Sequence, residues 1–196
     1  MEKTLRQQSS TCLKIVLFGP ESTGKTTLAK QLAKHFNTLW VPEYMREYLQ
    51  QKWDAEGVKC TMDDLMPIAE GQMHVENESA KLVDELLICD TNLLEISVYS
   101  QYYYNGFCPG QIKKYAKENT YDLYFLTSVD VPWEIDDLRD RPNERQKMFR
   151  TFEAVLKDYD LHYEILEGSE IERFESAVKK VIKLLKEKQE CSQKPI

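Results

Sequence analysis

Histidine clusters, cysteine pairs and long apolar runs are all missing from this sequence. The three histidines, His35, His74 and His162, lie far apart and indicate nothing catalytic. The five cysteines are scattered and form no C-x-x-C pair, which argues against a disulfide framework and a zinc site and predicts reduced thiols. No run approaches the ~18 apolar residues of a membrane span, and the amino terminus lacks the apolar segment of an export signal. We therefore expect a cytoplasmic protein with no membrane partner.

An excess of positive charge is missing as well. The formal net charge is −7, whereas binding to a nucleic-acid backbone depends on clustered Lys and Arg. We therefore expect a small diffusible substrate and no nucleic-acid partner. The 196 residues suffice for one domain, and no repeat, low-complexity block or linker divides them. We predict a polar, frayed arm over residues 1–12, a domain over 13–186 and a loose tail over 187–196.

The most specific pattern is a phosphate-binding loop. Residues 19–26 read G-P-E-S-T-G-K-T, which fits G-x-x-x-x-G-K-[ST]. An apolar run suited to a buried strand precedes it over 13–18, and apolar residues at helical spacing follow it. Lys25 is expected to reach the β- and γ-phosphates of ATP, and the Thr26 hydroxyl to ligate Mg²⁺. The loop residues predicted to bind the triphosphate are Gly19, Glu21, Ser22, Thr23, Gly24, Lys25 and Thr26.

Strand and helix patterns alternate along the rest of the chain. Four more segments have strand character, at residues 38–41, 86–89, 121–127 and 162–166. Helical periodicity occurs at residues 43–51, 63–85, 93–104, 111–119, 144–158 and 170–188. The alternation predicts an α/β fold with a doubly wound, five-stranded parallel sheet flanked by helices, as in small P-loop kinases. The nucleotide is expected at the carboxyl ends of the strands.

Two carboxylates follow predicted strands. Asp90 ends the run L-L-I-C-D, where Mg²⁺ beside a phosphate-binding loop needs a ligand; the alternative is that it only caps the next helix. Glu43 follows the second strand, on the acceptor side of the phosphates, where a carboxylate can accept a hydroxyl proton. Its alternative role is to complement the dipole of the following helix.

Three arginines follow the fourth predicted strand. Arg139, Arg141 and Arg145 occupy the place of the mobile lid in small-molecule kinases, where guanidinium groups suit the charge of a phosphoryl group in transfer. The interleaved acids fit a salt-bridged helix entrance instead; they are Asp136, Asp137, Asp140 and Glu144. Aromatic residues near these loops suit a flat, particularly a cationic, substrate, although such clusters also form ordinary core; they are Tyr44, Tyr99, Tyr102, Tyr103, Tyr104 and Trp133.

Several of these segments together resemble one family. The blocks are G-P-E-S-T-G-K-T-T-L-A, V-P-E-Y-x-R-E-Y-L, I-A-E-G-Q, C-D-T-N-L-L-x-x-x-V-Y-S, Y-D-L-Y-F-L-T and D-V-P-W-x-x-D-x-L-R-D-R-P. They are similar to the nicotinamide-riboside kinase (ribosylnicotinamide kinase) domain of the NadR-type NAD-biosynthesis proteins, from about residue 13 to residue 186. The resemblance implies that ATP, with Mg²⁺, phosphorylates nicotinamide riboside to nicotinamide mononucleotide.

The resemblance also implies roles for single positions. Lys25, Thr26 and Thr27 would bind the triphosphate. Asp90 would be the catalytic and metal carboxylate, and we place the general base there ahead of Glu43, although the choice between the two stays open. In the lid, Arg139 would act in catalysis, and Arg141 and Arg145 would contact ATP, without a decision on which arginine acts. The residues expected around the riboside are Glu43, Tyr44, Arg46, Asp90, Asn92, Tyr99, Trp133 and Asp136.

The chain departs from this family in two places. Longer members carry an adenylyltransferase domain with an H-x-G-H motif, and only a dozen polar residues precede the first strand here. We therefore expect neither dinucleotide synthesis nor the DNA binding of some longer members. Asp137 stands where many members have Gly, which affects the turn around Asp136. Two alternative functions stay open, a kinase for another nucleoside or small metabolite and a regulatory nucleotide-switch ATPase, and the oligomeric state does not follow from the sequence.

Overall fold

A five-stranded parallel sheet forms the centre of the protein. The structure, a computed structural model, describes residues 5–139 and 141–193. The strands are β1 (Leu13–Phe18), β2 (Trp40–Val41), β3 (Leu86–Asp90), β4 (Leu123–Thr127) and β5 (Tyr163–Leu166), in the sheet order β2-β3-β1-β4-β5. Neighbouring strands all run parallel, with Ile15 of β1 opposite Ile88 on one side and Leu123 on the other. This confirms the predicted doubly wound sheet.

Seven α-helices flank the sheet within the described ranges. They are α1 (Lys25–His35), α2 (Tyr44–Glu56), α3 (Leu65–Ala80), α4 (Leu93–Tyr103), α5 (Gly110–Glu118), α6 (Arg145–Asp158) and α7 (Glu170–Gln193), and a 3-10 turn at Met62–Asp64 precedes α3. Helices α1 and α7 contribute to the apolar cluster on one face of the sheet, and α2 to α6 contribute to the cluster on the other. No helix in the described part of the chain is both long and apolar enough to cross a membrane.

The central strand is almost entirely apolar because both faces of the sheet are covered. Ile15 and Leu17 pack into the cluster that contains α1 and α7, whereas Val16 and Phe18 pack into the opposite cluster. All four side chains are fully buried. A parallel sheet with helices on both faces requires such a run, and this is why the sequence showed β1 clearly.

Two helices extend further than their predicted ends. Helix α2 continues past residue 51 to Glu56, where Gly57 takes a left-handed φ of 65° and its N–H bonds to the Trp53 carbonyl. Helix α7 continues to Gln193, so residues 187–193 of the predicted tail are helical. Lys183 and Glu187, one turn apart at 3.7 Å, form an exposed ion pair on α7 where the predicted tail begins.

Two other predicted segments are shorter than expected. Strand β2 has only two residues, because the Thr38 N–H bonds back to the Ala33 carbonyl of α1 and the chain joins the sheet only at Trp40. Helix α3 ends at Ala80 and not at residue 85. Leu82 lies in the link to β3 with its side chain exposed, so it does not continue the buried stripe of α3 as its apolar character suggested.

The described part of the predicted frayed arm, residues 5–12, packs against the domain, and residues 1–4 lie outside the described residues. Leu5 is buried in the cluster that contains α3. Asn77 of α3 donates to the Arg6 carbonyl at 3.0 Å and accepts the Gln8 N–H at 2.8 Å. Asn119, which follows α5, donates to the Leu5 carbonyl at 3.1 Å. Two buried amide side chains therefore satisfy the backbone of a segment whose polar composition suggested disorder.

Gly71 of α3 lies directly against the ring of Tyr44. A Cβ atom at position 71 would stand 2.1 Å from the Cε1 atom of that ring. We expect Gly71→Ala to lower the free energy of unfolding by about 1–3 kcal/mol, because the ring and the first turn of α2 have to move. Gly110→Ala at the start of α5, where a Cβ meets open space, is the matched control and should be neutral or slightly stabilising. Urea unfolding measures both, and equal stabilities of the two variants would contradict this packing.

Candidate active site

The phosphate-binding loop connects β1 to α1 at the carboxyl edge of the sheet. Gly19, Ser22 and Gly24 have positive φ angles of 133°, 55° and 82°, so the chain turns tightly around one point. A Cβ at position 19 would lie 2.9 Å from the Thr127 hydroxyl oxygen and 3.1 Å from its carbonyl oxygen, which leaves room for glycine alone. Gly24 precedes α1 as its N-cap, so the loop lies at the positive end of the helix dipole.

Side chains from three other elements fasten this loop. Thr127, at the end of β4, has its hydroxyl 2.6 Å from the hydroxyl of Thr23. Arg145, at the start of α6, donates to the Ser22 carbonyl at 2.7 Å. Arg173, on α7, donates to the Thr23 carbonyl at 2.7 Å. The conformation of the loop is therefore fixed from β4, α6 and α7 before any ligand binds.

Arg173 is a site residue that the sequence analysis missed. It is buried, lines the cleft described below, and also donates to the carbonyls of Gly168 at 3.0 Å and Ser128 at 3.1 Å. One feature of the sequence could have indicated Arg173. It lies on the same face of α7 as Ala177 and Val181, which are fully buried, and an arginine in line with buried residues is unusual.

Lys25 is the first residue of α1, and its ammonium group lies inside the loop. Nζ donates to the carbonyl oxygens of Gly19 at 2.7 Å and Pro20 at 2.9 Å. The Oε1 atom of Glu95 on α4 lies 3.2 Å from Nζ. Burial lowers the pKa of Lys25, but the surrounding carboxylates, with Glu95 first among them, outweigh it and raise the pKa. Lys25 is therefore a charged group at neutral pH despite its burial.

Three carboxylates surround this ammonium group. Asp90 ends β3, Glu95 lies in the first turn of α4, and Glu43 immediately precedes α2. Burial, together with the charge of Glu43, raises the pKa of Asp90 to about 7, although Lys25 opposes the shift. Burial raises the pKa of Glu95 to about 8, since Lys25 offsets only part of the effect. Glu95 was missed from the sequence because nothing marks which side of α4 faces the loop.

Gln72 of α3 holds the turn that carries Glu43. Its Nε2 atom donates to the Pro42 carbonyl at 3.2 Å, and its Oε1 atom accepts the Tyr44 N–H at 2.9 Å. Gln72 is fully buried, so it fixes the backbone on both sides of Glu43. The Glu43 side chain lines the cleft.

Thr26 and Asp90, the two residues predicted to ligate Mg²⁺, are hydrogen-bonded to each other. The Thr26 hydroxyl donates to Oδ2 of Asp90 at 2.5 Å. The other oxygen, Oδ1, is buried and has no hydrogen-bond partner among the described residues. A hydroxyl beside a carboxylate with a spare acceptor fits a hard cation that takes its remaining ligands from water and phosphate. Over the described ranges, no group of three or more His, Cys, Asp and Glu side chains could hold a metal by itself.

The loop opens into a cleft of about 730 Å³, a volume typical of small-molecule sites. The loop residues on its wall are Glu21, Ser22, Thr23, Gly24, Lys25, Thr26 and Thr27. The wall also includes apolar and aromatic side chains, namely Leu49, Leu65, Ile96, Tyr99, Tyr103 and Tyr104, together with the Glu43 carboxylate. The cleft therefore combines a phosphate-binding loop with an apolar, aromatic surface.

The segment between β4 and α6, which we call the lid, borders the cleft. It is irregular over residues 128–139 and 141–144. The Oδ2 atom of Asp136 accepts a hydrogen bond from Nη2 of Arg46 on α2 at 2.9 Å and forms an ion pair with Nε of Arg139 at 2.9 Å. The Oδ1 atom accepts the Leu138 N–H at 2.9 Å, which closes the turn although Asp137 replaces the glycine of the family pattern. Arg46, Asp137 and Arg139 all line the cleft.

Several predicted substrate residues do not line the cleft. The Tyr44 ring packs against Gly71 because the start of α2 presses it onto α3. Asn92 caps α4 by accepting the Glu95 N–H at 3.1 Å, and its amide donates to the Tyr124 hydroxyl at 3.1 Å. Asp90 is fully buried beside Thr26. Of the two candidate bases, Glu43 is on the cleft wall and Asp90 is not.

Three other predicted residues of this region, Trp133, Arg141 and Arg145, are not on the cleft wall. The Arg141 guanidinium carbon stands 4.4 Å from the centroid of the Tyr103 ring, on the side of α4. Trp133 lies against Arg145, with the guanidinium carbon 5.7 Å from the ring centroid. Arg145 is engaged with loop and lid carbonyls, so its visible role is to hold the loop. Asp140, one of the acids predicted in the lid, lies outside the described residues.

The similarity to known proteins covers most of the chain. A family model described as an AAA domain matches residues 14–173. The trifunctional NAD biosynthesis/regulator protein NadR of Escherichia coli (strain K12) is 24% identical over 175 residues, which are 88% of this chain and 42% of that protein. The chain thus spans less than half the length of this curated relative.

Solved structures show the same fold. A NadR protein in complex with NR superimposes with a TM-score of 0.70 at 20% identity, over 87% of this chain and 50% of that one. Deoxyadenosine kinase from M. mycoides, with products bound, superimposes with a TM-score of 0.63 at 17% identity, over 87% of this chain and 100% of that one. The sheet and its flanking helices therefore form a P-loop kinase fold.

We expect the stability of the metal-free protein to fall as the pH rises from about 4 to about 7. Folding raises the pKa of Asp90 from 3.8 to about 7, so the folded protein binds this proton more tightly than the unfolded one, and ionisation costs stability. Asp90→Asn, which still accepts from Thr26, should flatten the profile and gain on the order of 1–3 kcal/mol at pH 8. Asp158→Asn on the surface is the control. Urea unfolding in EDTA at several pH values measures this, and parallel profiles for Asp90→Asn and the wild type would contradict it.

Proposed function

The chain belongs to the AAA domain family, and we propose that this member is an ATP-dependent nucleoside kinase that phosphorylates the 5′-hydroxyl of nicotinamide riboside to nicotinamide mononucleotide. The P-loop kinase fold and the Glu43 carboxylate on the cleft wall support the reaction class. The similarity to the NadR proteins, one of them solved in complex with NR, supports the choice of riboside.

The position of Glu43 carries the proposal. Its carboxylate lies on the cleft wall and is close enough to Lys25 and Asp90 to shift the pKa of both. An acceptor hydroxyl that enters here meets a carboxylate able to bond it. An acceptor phosphate would instead be repelled by the Glu43 carboxylate on the cleft wall. The site therefore favours a nucleoside over a nucleoside monophosphate.

The reaction needs positioning and charge stabilisation more than covalent chemistry. Glu43 orients the 5′-hydroxyl and accepts its proton as the oxygen attacks the γ-phosphorus, and ADP leaves. The loop N–H groups and Lys25 bind the triphosphate, and Arg139 neutralises charge that develops on the transferred group. Thr26 and Asp90 would hold Mg²⁺, which neutralises charge on the phosphate oxygens. Asp90 is then a metal ligand, and Glu43 is the base.

The aromatic surface of the cleft suits a flat base. Tyr99 and Tyr103 line it with ring centroids 6.2 Å apart, and Tyr104 adds a third ring. Aromatic faces attract cationic rings, and the pyridinium ring of nicotinamide riboside is one. Arg46 reaches this region from α2, where Asp136 holds it, and offers donors for the ribose hydroxyls.

The test is ADP release by the purified protein with ATP and Mg²⁺, with and without nicotinamide riboside. We expect strong stimulation by the riboside, none in Lys25→Ala, and a loss of about 10²–10⁴-fold in the rate of Glu43→Gln, because the base is removed while the shape is kept. The panel of acceptors includes uridine, cytidine, nicotinic acid riboside and nicotinamide mononucleotide.

Each outcome of the panel has a separate meaning. Stimulation by another nucleoside alone would keep the kinase and change its substrate. Stimulation by the mononucleotide would contradict the argument from the carboxylates. Slow ATP hydrolysis that no acceptor changes would overturn the kinase proposal in favour of a nucleotide switch. Glu47→Gln, an exposed carboxylate one turn along α2, is the matched control for Glu43→Gln and should keep the wild-type rate.

A further inference from the structure

The carboxylate of Glu95 contacts both ends of the phosphate-binding loop, one through a hydrogen bond and the other through an ion pair. Its Oε2 atom accepts the backbone N–H of Gly19 at 3.3 Å, at the start of the loop. Its Oε1 atom lies 3.2 Å from the Lys25 ammonium, at the end of the loop. Glu95 itself is 1% exposed and does not line the cleft. It therefore contacts the loop from behind, out of reach of a bound ligand.

Local structure fixes the direction of this side chain. Asn92 is the N-cap of α4 and accepts the N–H of Glu95, which places Glu95 in the first turn of the helix. A carboxylate in the first turn is stabilised by the helix dipole, so part of the cost of burying its charge is offset there. Helix α4 thus holds the Glu95 carboxylate against the side of the loop that faces away from the cleft.

The Lys25 ammonium donates to the carbonyls of Gly19 and Pro20, and the Oε1 atom of Glu95 lies 3.2 Å from it. Glu95 is therefore the carboxyl side chain in direct contact with the ammonium. Asp90 and Glu43 act on Lys25 through their charge, without a direct ion pair to it.

We propose that Glu95 is a positioning residue for phosphoryl transfer, which holds the Lys25 ammonium and the Gly19 amide in the geometry that the transferring phosphoryl group requires. This rests on the proposed kinase function for its catalytic readout. Glu95 acts through Lys25 and does not touch the nucleotide. Glu95 does not line the cleft and carries no positive charge, so it offers the triphosphate no favourable contact of its own. The benefit is therefore expected in turnover and not in affinity.

The opposing explanation is a buried ion pair that only stabilises the fold. The chain offers a matched control for it in the pair of Lys14 and Glu76, at 3.0 Å, which joins β1 to α3 and is equally buried. Neither residue lines the cleft. Glu76→Gln breaks a buried pair of the same kind and leaves the loop alone, so it should lower stability and change neither nucleotide affinity nor turnover.

The test compares Glu95→Gln with Glu76→Gln and the wild type in two measurements. Calorimetric titration with AMP-PNP and Mg²⁺ should give a dissociation constant for Glu95→Gln within about threefold of the wild type. Turnover with ATP and the best acceptor should fall by about 10²-fold, as expected when a charged group is misplaced by about an ångström. Wild-type turnover, or an affinity weakened more than about tenfold, would overturn the proposal.

A double variant makes the test specific to Lys25. If Glu95 acts through Lys25, then adding Glu95→Gln to Lys25→Ala leaves the residual single-turnover rate of Lys25→Ala, measured at high enzyme concentration, unchanged. Multiplied losses would overturn the proposal. If no acceptor stimulates the protein, the same comparison is made on basal ATP hydrolysis, and the titration with AMP-PNP is unaffected. Failure of the kinase proposal can thus be told apart from failure of the role of Glu95.

Discussion

One buried ammonium group determines how the site is built. Lys25 bonds two carbonyls of its own loop and pairs with Glu95, while the carboxylates of Glu43 and Asp90 stand nearby. Buried charges persist only when they are paired, hydrogen-bonded or shifted in pKa, and all three conditions are met here. The left-handed turns of the loop bring the carbonyls to Lys25, and the sheet and α4 bring the carboxylates. A nucleotide thus meets groups that are already charged and ordered.

The strand order explains why the site has two functional sides. Because β3 lies beside β1, the end of the loop strand and Asp90 are neighbours, and because β2 lies beside β3, Glu43 comes next. On the other side, β4 lies beside β1, which brings Thr127 and the root of the lid to the loop. The strand order therefore places Glu43 on one side of the loop and the lid on the other. Asp90, Glu43 and Thr127 each lie at the end of a strand or directly after it.

The sequence predicts the site residues that follow the ends of strands. It does not predict the site residues whose role depends on how a helix face packs against another element. The loop, Asp90 and Glu43 were found because each directly follows an apolar strand. Arg173, Glu95 and Gln72 were missed because their roles depend on which face of a helix turns toward another element, and the periodicity of one segment does not name its partner. The motif blocks also suggested that Tyr44 lies at the substrate. In the structure, Tyr44 packs on Gly71, which belongs to another block, and Tyr44 is not on the cleft wall.

One oxygen of Asp136 contacts both Arg46 and Arg139 and so connects α2 to the lid. A ligand that displaces Arg46 from this oxygen changes the energy of holding Arg139, and the reverse is equally true. Such linkage is reciprocal. If one ligand changes the affinity for a second ligand by some factor, the second changes the affinity for the first by the same factor. The order in which two substrates are added would then affect the rate of assembly of the ternary complex, but not its free energy. One carboxylate oxygen is enough to make a shared cleft behave as two coupled binding sites.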